Sequence, residues 1–473
     1  MKPIAIIGGG VTGLTAAFRL KQQNLPVTVF EASERVGGVI QSVRQNGHLA
    51  EFGPNSILET SPLVAALVRD LGLEARRQYS DPRAEKRFIV RGGRPVLLPS
   101  SPLAFLASPL FSPVAKLRLL AEPFIGRAPA DSDESIAEFV RRRLGREFLD
   151  YAINPLVAGI YAGDPELLSV AQAFPKLHAL EQRWGSLIVG QVRGARERQR
   201  SGEVSKQSAK KFSFDEGLQV LIDTLRTRLA GEIQSSAPVR RLERKEGGWL
   251  VEREDSKTGS APAEFSAILV ALPAYKMASL AVRSTEYLDL SRLSAIHYPP
   301  VASVVLGFRR ADVAHPLDGF GMLVPEKEGL NILGALFSST LFPNRAPAGE
   351  VTITSYLGGA RSPELTLKTS DDLAALAAKD LALLLGINGK PTFQRVTFFP
   401  RAIPQYNLGF GGYRAFMNQL EIKAPGLFLA GHARDGISVS DCIVSGHHVA
   451  DRIQTFLSTS DRKTPLSQLH LAA

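Results

Sequence analysis

Glycines at 8, 10 and 13 in "IAIIGGGVTGLTAAFRL", with Glu31 eighteen residues beyond the last, have the spacing of a phosphate cradle followed by a ribose-binding acid. Gly8 permits a tight turn after a strand, Gly10 lets the backbone approach a pyrophosphate, and Gly13 lets the next helix lie close to that strand. Gly9 and the helix start at Val11 and Thr12 then offer N–H groups and the positive end of a helix dipole to the phosphates. Glu31 and Ala32 close the following strand. A carboxylate there accepts hydrogen bonds from a ribose diol and repels a 2′-phosphate, which disfavours NADP. NAD and FAD both fit this unit.

For these residues to act together, IAII at 4–7 must be a buried parallel strand, 14–24 a helix and PVTVFEA a second strand. Right behind the acid, "ASERVGGVIQSV" adds Arg35, Gly37, Gly38 and Val39, a pattern NAD binding does not need. "HLAEFGPNSI" then places Gly53, Pro54, Asn55 and Ser56 at a turn. Near the far end, "PGLFLAGHARDGISVSDCIVSGHHVADRI" is another strand, glycine turn and helix. Gly431 and His432 follow that strand, and Ile437, Ser438 and Val439 start the helix. Two such ends converging on one extended cofactor is an arrangement for FAD.

The remaining composition narrows the function classes. The chain has 473 residues, 44% hydrophobic and 22% charged, as in soluble globular proteins of about three units. A formal charge of +10 is spread along the chain with no nucleic-acid motif, so no nucleic-acid partner is expected. One cysteine, Cys442, excludes an intrachain disulfide and a Cys-rich metal site, and no metal is expected. No leader is read before the first strand, and no apolar run reaches the ~20 residues of a spanning helix.

The uncharged stretch 95–115 carries five prolines. It reads as short helices laid on a membrane surface, with Lys116 and Arg118 toward anionic head groups, or as a hairpin over a substrate cavity. Ser132 and Ser135 cap a helix whose run Arg141–Arg143 reads as a solvated face. The polar, basic stretch 191–213 reads as a helix end and a loop. Residues 214–272 return to the first unit through an amphipathic helix, a strand at Val239, a turn at Gly247–Gly248 and a buried strand in "EFSAILVALPA". From about 300 to 405, five short strands between turns suggest an antiparallel sheet.

The second glycine pattern resembles the FAD-dependent amine-oxidase-like superfamily. There, Arg35, Gly37 and Gly38 would lie along the dinucleotide, the turn at Gly53–Ser56 would pass the flavin, and Val239 would pass the adenine. The C-terminal helix start would face the pyrimidine side of the isoalloxazine. Within that superfamily, "AINPLVAGIYAGDPELLSVAQAFPKLHALEQRWGSLIVG" at 152–190 closely resembles the protoporphyrinogen oxidase family, in its plant mitochondrial and bacterial forms. "FIVRGGRPVLLPSSP", "GFGMLVPEKEG" and "GALFSSTLFPNRAP" resemble further segments, so the likeness is essentially full length.

This resemblance implies a mixed α/β (α+β) fold of the p-hydroxybenzoate-hydroxylase type. Rossmann-like FAD-binding segments would span 1–85, 212–275 and 420–456, with an inserted helical membrane-associated domain at 90–205. A substrate domain built on an antiparallel sheet would span 290–410, with a tail at 457–473. It implies non-covalent FAD and oxidation of protoporphyrinogen IX to protoporphyrin IX in haem biosynthesis, with oxygen as acceptor. Arg87 would pair with a propionate, while Leu323, Leu336 and Tyr356 would sandwich the pyrrole rings. Ala162 and Gly163 would line the cavity as small residues. Without the resemblance, the two leucines read as core and Arg87 as a solvated charge. No side chain is implied as an essential acid or base, since hydride would pass to flavin N5. The expected location is the bacterial cytoplasm, peripheral on the inner face of the cell membrane, with a homodimer left open. Oxidation of coproporphyrinogen III remains the near alternative. Amine oxidation, carotenoid desaturation and a non-catalytic carrier are the remote ones.

Overall fold

A computed structural model of the chain describes residues 2–129, 132–201, 209–254 and 263–461. Residues 202–208 of the expected loop and 462–473 of the expected tail lie outside the described residues. Ile4–Ile7 is buried throughout and runs parallel between Val27–Phe30 and Ala267–Val270. Ile233–Gln234 and Leu427–Leu429 complete this five-stranded parallel sheet at its edges. Helix Val11–Gln22 lies so near the first strand that a Cβ on Gly13 would sit 2.0 Å from the Gly8 carbonyl oxygen. A second close approach joins the chain's two ends. In the long helix Val439–Asp461, a Cβ on Gly446 would lie 2.7 Å from the Thr12 carbonyl oxygen and 2.8 Å from Thr15 Cβ.

The expected antiparallel block forms around Val301–Arg309, which pairs with Glu350–Gly358 on one side and Phe393–Phe399 on the other. Ile332–Leu336 and Gly321–Leu323 continue the sheet. Beyond them, the hairpin Arg87–Arg91 and Arg94–Leu97 makes it seven-stranded, so the helical insertion starts only at Pro102–Ala107. Helix Ser370–Leu385, capped by Thr369, covers one face: Leu373, Ala377 and Leu381 pack with Val304, Leu306 and Ile353. The other face receives strand His48–Glu51, whose Ala50 packs on Val305 and Phe393. The His48 ring stacks on Phe393 at 4.7 Å and meets Thr352 Oγ1 at 2.8 Å and Glu350 at 3.1 Å.

Three expectations are corrected. The run Arg141–Arg143 is not a solvated face. Arg143 is fully buried between Glu122, at 3.1 Å, and Glu181, Arg142 pairs with Glu134 at 2.6 Å, and Arg141 pairs with Glu166. An arginine on the inward side of helix Ile136–Arg143 is sustained there because two buried carboxylates need its charge. Lys116 and Arg118 do not face outward: Lys116 Nζ donates to the Leu106 and Ser108 carbonyls, and Arg118 donates to those of Arg142 and Arg143. Finally, Lys211–Phe214 is no loop but the middle strand of a small sheet with Ile57–Leu58 and Arg77–Tyr79.

Truncating the buried arginine would strand the fully buried Glu122 carboxylate without a counter-charge and leave Glu181 with Arg142 alone, at 2.8 Å. Arg143→Ala is therefore expected to lower unfolding free energy by about 3–5 kcal/mol. Denaturant titration of the two proteins checks this, and a change under ~1 kcal/mol would place the pair among weak surface ion pairs.

Candidate functional site

Four separate segments meet around the first glycine turn. Gly8 N–H donates to Phe30 at 2.8 Å, and Gly37 N–H donates to the Gly9 carbonyl at 2.7 Å. Gly38 stacks over the turn, its Cβ position being 3.6 Å from Gly10 Cα. Gly431 approaches from the far end of the chain, its Cβ position being 3.4 Å from Thr12 Oγ1. A Cβ on Gly10 would meet nothing within 4 Å. The turn is thus a cradle free of side chains, with open space above Gly10, which is the shape a pyrophosphate requires. The Glu31 carboxylate accepts N–H groups from Gly9 and Ser33, both at 2.8 Å, which fixes it at the strand end beside the cradle. Ala32 follows it, and Ala237, two residues before Val239, donates its N–H to the Glu31 carbonyl at 2.9 Å. Arg35 spends its guanidinium on its own loop, donating to the carbonyls of Val36, Gly38 and Ile40.

At the other end, Ser438 and Asp441 cap helix Val439–Asp461 reciprocally. Ser438 Oγ accepts the Asp441 N–H at 3.0 Å, and Asp441 accepts the Ser438 N–H at 3.3 Å. Ile437 packs on the adjacent core. The His432 carbonyl accepts the Tyr406 hydroxyl at 2.6 Å, and its Nε2 lies 3.4 Å from the Tyr298 hydroxyl. Burial pushes the His432 imidazole down to about 4, so the ring is neutral at neutral pH. Burial likewise pushes the Cys442 thiol up to about 12, leaving it protonated.

The substrate-side candidates share one sheet face. Arg87, Gly321 and Leu336 form one cross-strand row, and Leu323, Gly334 and Tyr356 form the row two residues on. With a side-chain period of two, Arg87, Leu323, Leu336 and Tyr356 all point away from the covering helix. Tyr356 reaches the turn at Gly53–Ser56: Asn55 Nδ2 donates to its hydroxyl at 2.6 Å, and that hydroxyl lies 3.3 Å from the Gly53 carbonyl. A Cβ on Gly53 would lie 2.7 Å from the Val39 carbonyl, so the same turn rests on the second glycine loop. Pro54 and Ser56 complete it, both half-buried.

Helix Asn154–Tyr161 closes the far side, with Gly159 against Leu323. Ala162 ends this helix in a left-handed conformation, φ 48°, held by the Ala360 N–H at 2.7 Å on its carbonyl, and packs in the cluster of Tyr356. Gly163 packs instead on Gln405, where a Cβ would lie 2.3 Å from Oε1. Phe320 and Lys211, absent from the residues singled out by sequence, lie beside Arg87: its guanidinium is 6.0 Å and the Lys211 ammonium 5.5 Å from the Phe320 ring centre. The alternation K-F-S-F, with Phe212 and Phe214 fully buried, is the signal that places Lys211 on the face toward this site. Among the described residues no cluster of three or more His, Cys, Asp or Glu side chains could hold a metal.

Residues 11–454 match the family described as flavin containing amine oxidoreductase. The chain is 36% identical over 493 residues to protoporphyrinogen oxidase 2, chloroplastic/mitochondrial, of Arabidopsis thaliana, covering 99% of this chain and 97% of that protein. It is 29% identical to the coproporphyrinogen III oxidase of Bacillus subtilis, covering 96% and 98%. A solved structure from Exiguobacterium sp. 255-15 superposes with a TM-score of 0.78 at 24% identity, over 96% of this chain and 99% of that one. Reduced UDP-galactopyranose mutase superposes at 0.72 with 15% identity, over 96% and 94%. The side-chain-free cradle and these matches agree: the chain belongs to the flavin-containing amine oxidoreductases, as an oxidoreductase that uses FAD.

Proposed function

We propose that the chain oxidises protoporphyrinogen IX to protoporphyrin IX, with oxygen as the final acceptor. The observation that supports this most directly is the single sheet face bearing Arg87, Leu323, Leu336 and Tyr356 beside the turn at Gly53–Ser56. Bound FAD supplies two-electron acceptor chemistry, and three such oxidations, each reducing one oxygen to hydrogen peroxide, remove the six hydrogens that separate the two tetrapyrroles. The chain's own residues bind and orient. Gly8–Gly13 and Gly37–Val39 would hold the pyrophosphate, Glu31 the ribose diol and Val239 the adenine, with Arg35 fixing the loop between them. Gly53–Ser56, Gly431, His432 and Ile437–Val439 would hold the ring system. Arg87 would anchor a propionate, and Leu323, Leu336 and Tyr356 would press the pyrroles flat, with Ala162 leaving room. No side chain is assigned as acid or base, because the pyrrole nitrogen itself can release the proton after hydride loss. The test is anaerobic bleaching of flavin absorbance by protoporphyrinogen IX and by coproporphyrinogen III, followed by air. Preferential bleaching by the four-carboxylate substrate would move the assignment to its rival.

Peripheral attachment to the inner face of a membrane is part of this proposal. Leu103, Leu117 and Phe124 are 80%, 66% and 89% exposed on helices Pro102–Ala107 and Pro113–Leu120 and the turn after them, with Leu106, Val114 and Leu120 beside them. A set of six exposed apolar side chains within residues 103–124 suits the interface of a bilayer. Among the described residues no helix is long and apolar enough to cross a membrane. Phe105, on the same segment, packs instead against Phe111 and Phe148.

Three outcomes check these assignments. Gly10→Val should give a folded protein that lacks flavin absorbance, because a Cβ there meets no protein atom within 4 Å and the added side chain would enter the phosphate space. Arg87→Ala should raise KM roughly 10- to 150-fold with a smaller change in kcat, as expected for a charged hydrogen bond. Replacing Leu103, Leu106 and Phe124 with Asp should abolish co-flotation with liposomes while FAD content stays intact, and wild-type protein that never floats would reassign the patch.

A further inference from the structure

Two cations from two different segments converge on one aromatic ring at the edge of the substrate face. Arg87 comes from the next-to-last strand of the seven-stranded sheet and Lys211 from the small sheet of the FAD side. Their charged groups lie 6.0 Å and 5.5 Å from the centre of Phe320, the neighbour of Arg87's register partner Gly321. Phe320 and Leu336 pack against the same buried cluster of Ala84, Leu341 and Phe342, so the ring lies in the neighbourhood of the residues assigned to the pyrroles. Neighbouring cations do have acids: Lys86 pairs with Asp318 at 2.5 Å, and Arg77 pairs with Glu59 at 3.3 Å. Among the described residues, neither Arg87 nor Lys211 has a carboxylate within ion-pair distance. Lys211 is half-buried: burial and the nearby Arg87 charge lower its proton affinity, and Glu85, beyond ion-pair distance, offsets this only in part. Two like charges brought together without a directly paired acid cost free energy that a bound anion would recover.

We propose that Lys211 is a second carboxylate-binding residue, taking with Arg87 the two propionates that a porphyrinogen carries on adjacent pyrroles. This rests on the porphyrinogen reading above. It adds the rule that the substrate is held by a pair of carboxylates at one edge and that specificity resides partly in Lys211. A lysine that merely lays its stem on Phe320 would give no such dependence on substrate charge.

The experiment compares wild type, Lys211→Met and Lys211→Arg on protoporphyrinogen IX and on its dimethyl ester, with FAD content and melting temperature as fold controls. Methionine keeps the stem and removes the charge. The expected result is a KM for the diacid raised about tenfold in Lys211→Met and largely restored in Lys211→Arg, with kcat nearly unchanged and the ester's KM unmoved. Titration of the product protoporphyrin IX by fluorescence should show the same loss in affinity. Equal effects on acid and ester, or none on either, would overturn the role of Lys211 while leaving the porphyrinogen assignment standing. A wild-type protein that neither oxidises the porphyrinogen nor binds the porphyrin would overturn both.

Discussion

The close approach of Gly446 to Thr12 and Thr15 is the contact on which the site depends. It lets helix Val439–Asp461 lie against helix Val11–Gln22 with backbone touching backbone, where any Cβ would force the helices apart. Because the second helix begins at Ser438 and its strand ends at Leu429, this one contact draws Gly431 to within van der Waals reach of Thr12. The cradle therefore combines both ends of the chain with the loops at 37–39 and 53–56. It has no meaning as a local motif: the phosphate turn forms from residues 4–13, but the site exists only when the last helix has docked.

A second constraint fixes the two halves at one distance. Strand His48–Glu51 lies on the open face of the seven-stranded sheet, and a Cβ on Gly307 would be 2.4 Å from the His48 ring. Burial lowers the His48 proton affinity, while Glu350 acts the other way through its hydrogen bond, so the ring serves as a packed aromatic plate with two polar edges. The hydrogen bonds joining Tyr356 to Asn55 and Gly53 continue the same seam. Hydride transfer tolerates little slack, since reacting atoms must lie within ~3–3.5 Å. A seam made of packed rings and short hydrogen bonds would supply that stiffness.

Much of this was legible in the residues. The unit at 4–31, the five strands between 301 and 399 and the capped start at Ser438 all follow from local patterns of period, turn and cap. What escaped depends on distant partners. Arg143 looks like its exposed neighbours until Glu122 and Glu181 arrive from elsewhere in the chain. Lys211 sits at the end of a basic run that hides the alternation of Phe212 and Phe214. Helix Ser370–Leu385 had a clear signal, an Ala- and Leu-rich run behind a Thr cap, which the surrounding strand pattern obscured. The shared face of Arg87 and Tyr356 could not be read locally, because it is set by pairing between strands more than 200 residues apart.

The apolar patch on the insertion has a consequence for how it would hold a membrane. The two cations on its second helix are committed inward: Lys116 to the Leu106 and Ser108 carbonyls, and Arg118 to those of Arg142 and Arg143. Arg142 and Arg143 are themselves bound to Glu134, Glu122 and Glu181. Were the patch to meet a bilayer, these residues would add little attraction to anionic head groups, and attachment would scale with the apolar area of Leu103, Leu106, Val114, Leu117, Leu120 and Phe124. Such an interface is insensitive to salt, unlike one built on a basic patch, whose grip falls as the Debye length shortens. The ion-pair network then serves the fold rather than the bilayer. It ties the short helix Pro113–Leu120 to helix Ile136–Arg143 through the Arg118 bonds to the Arg142 and Arg143 carbonyls.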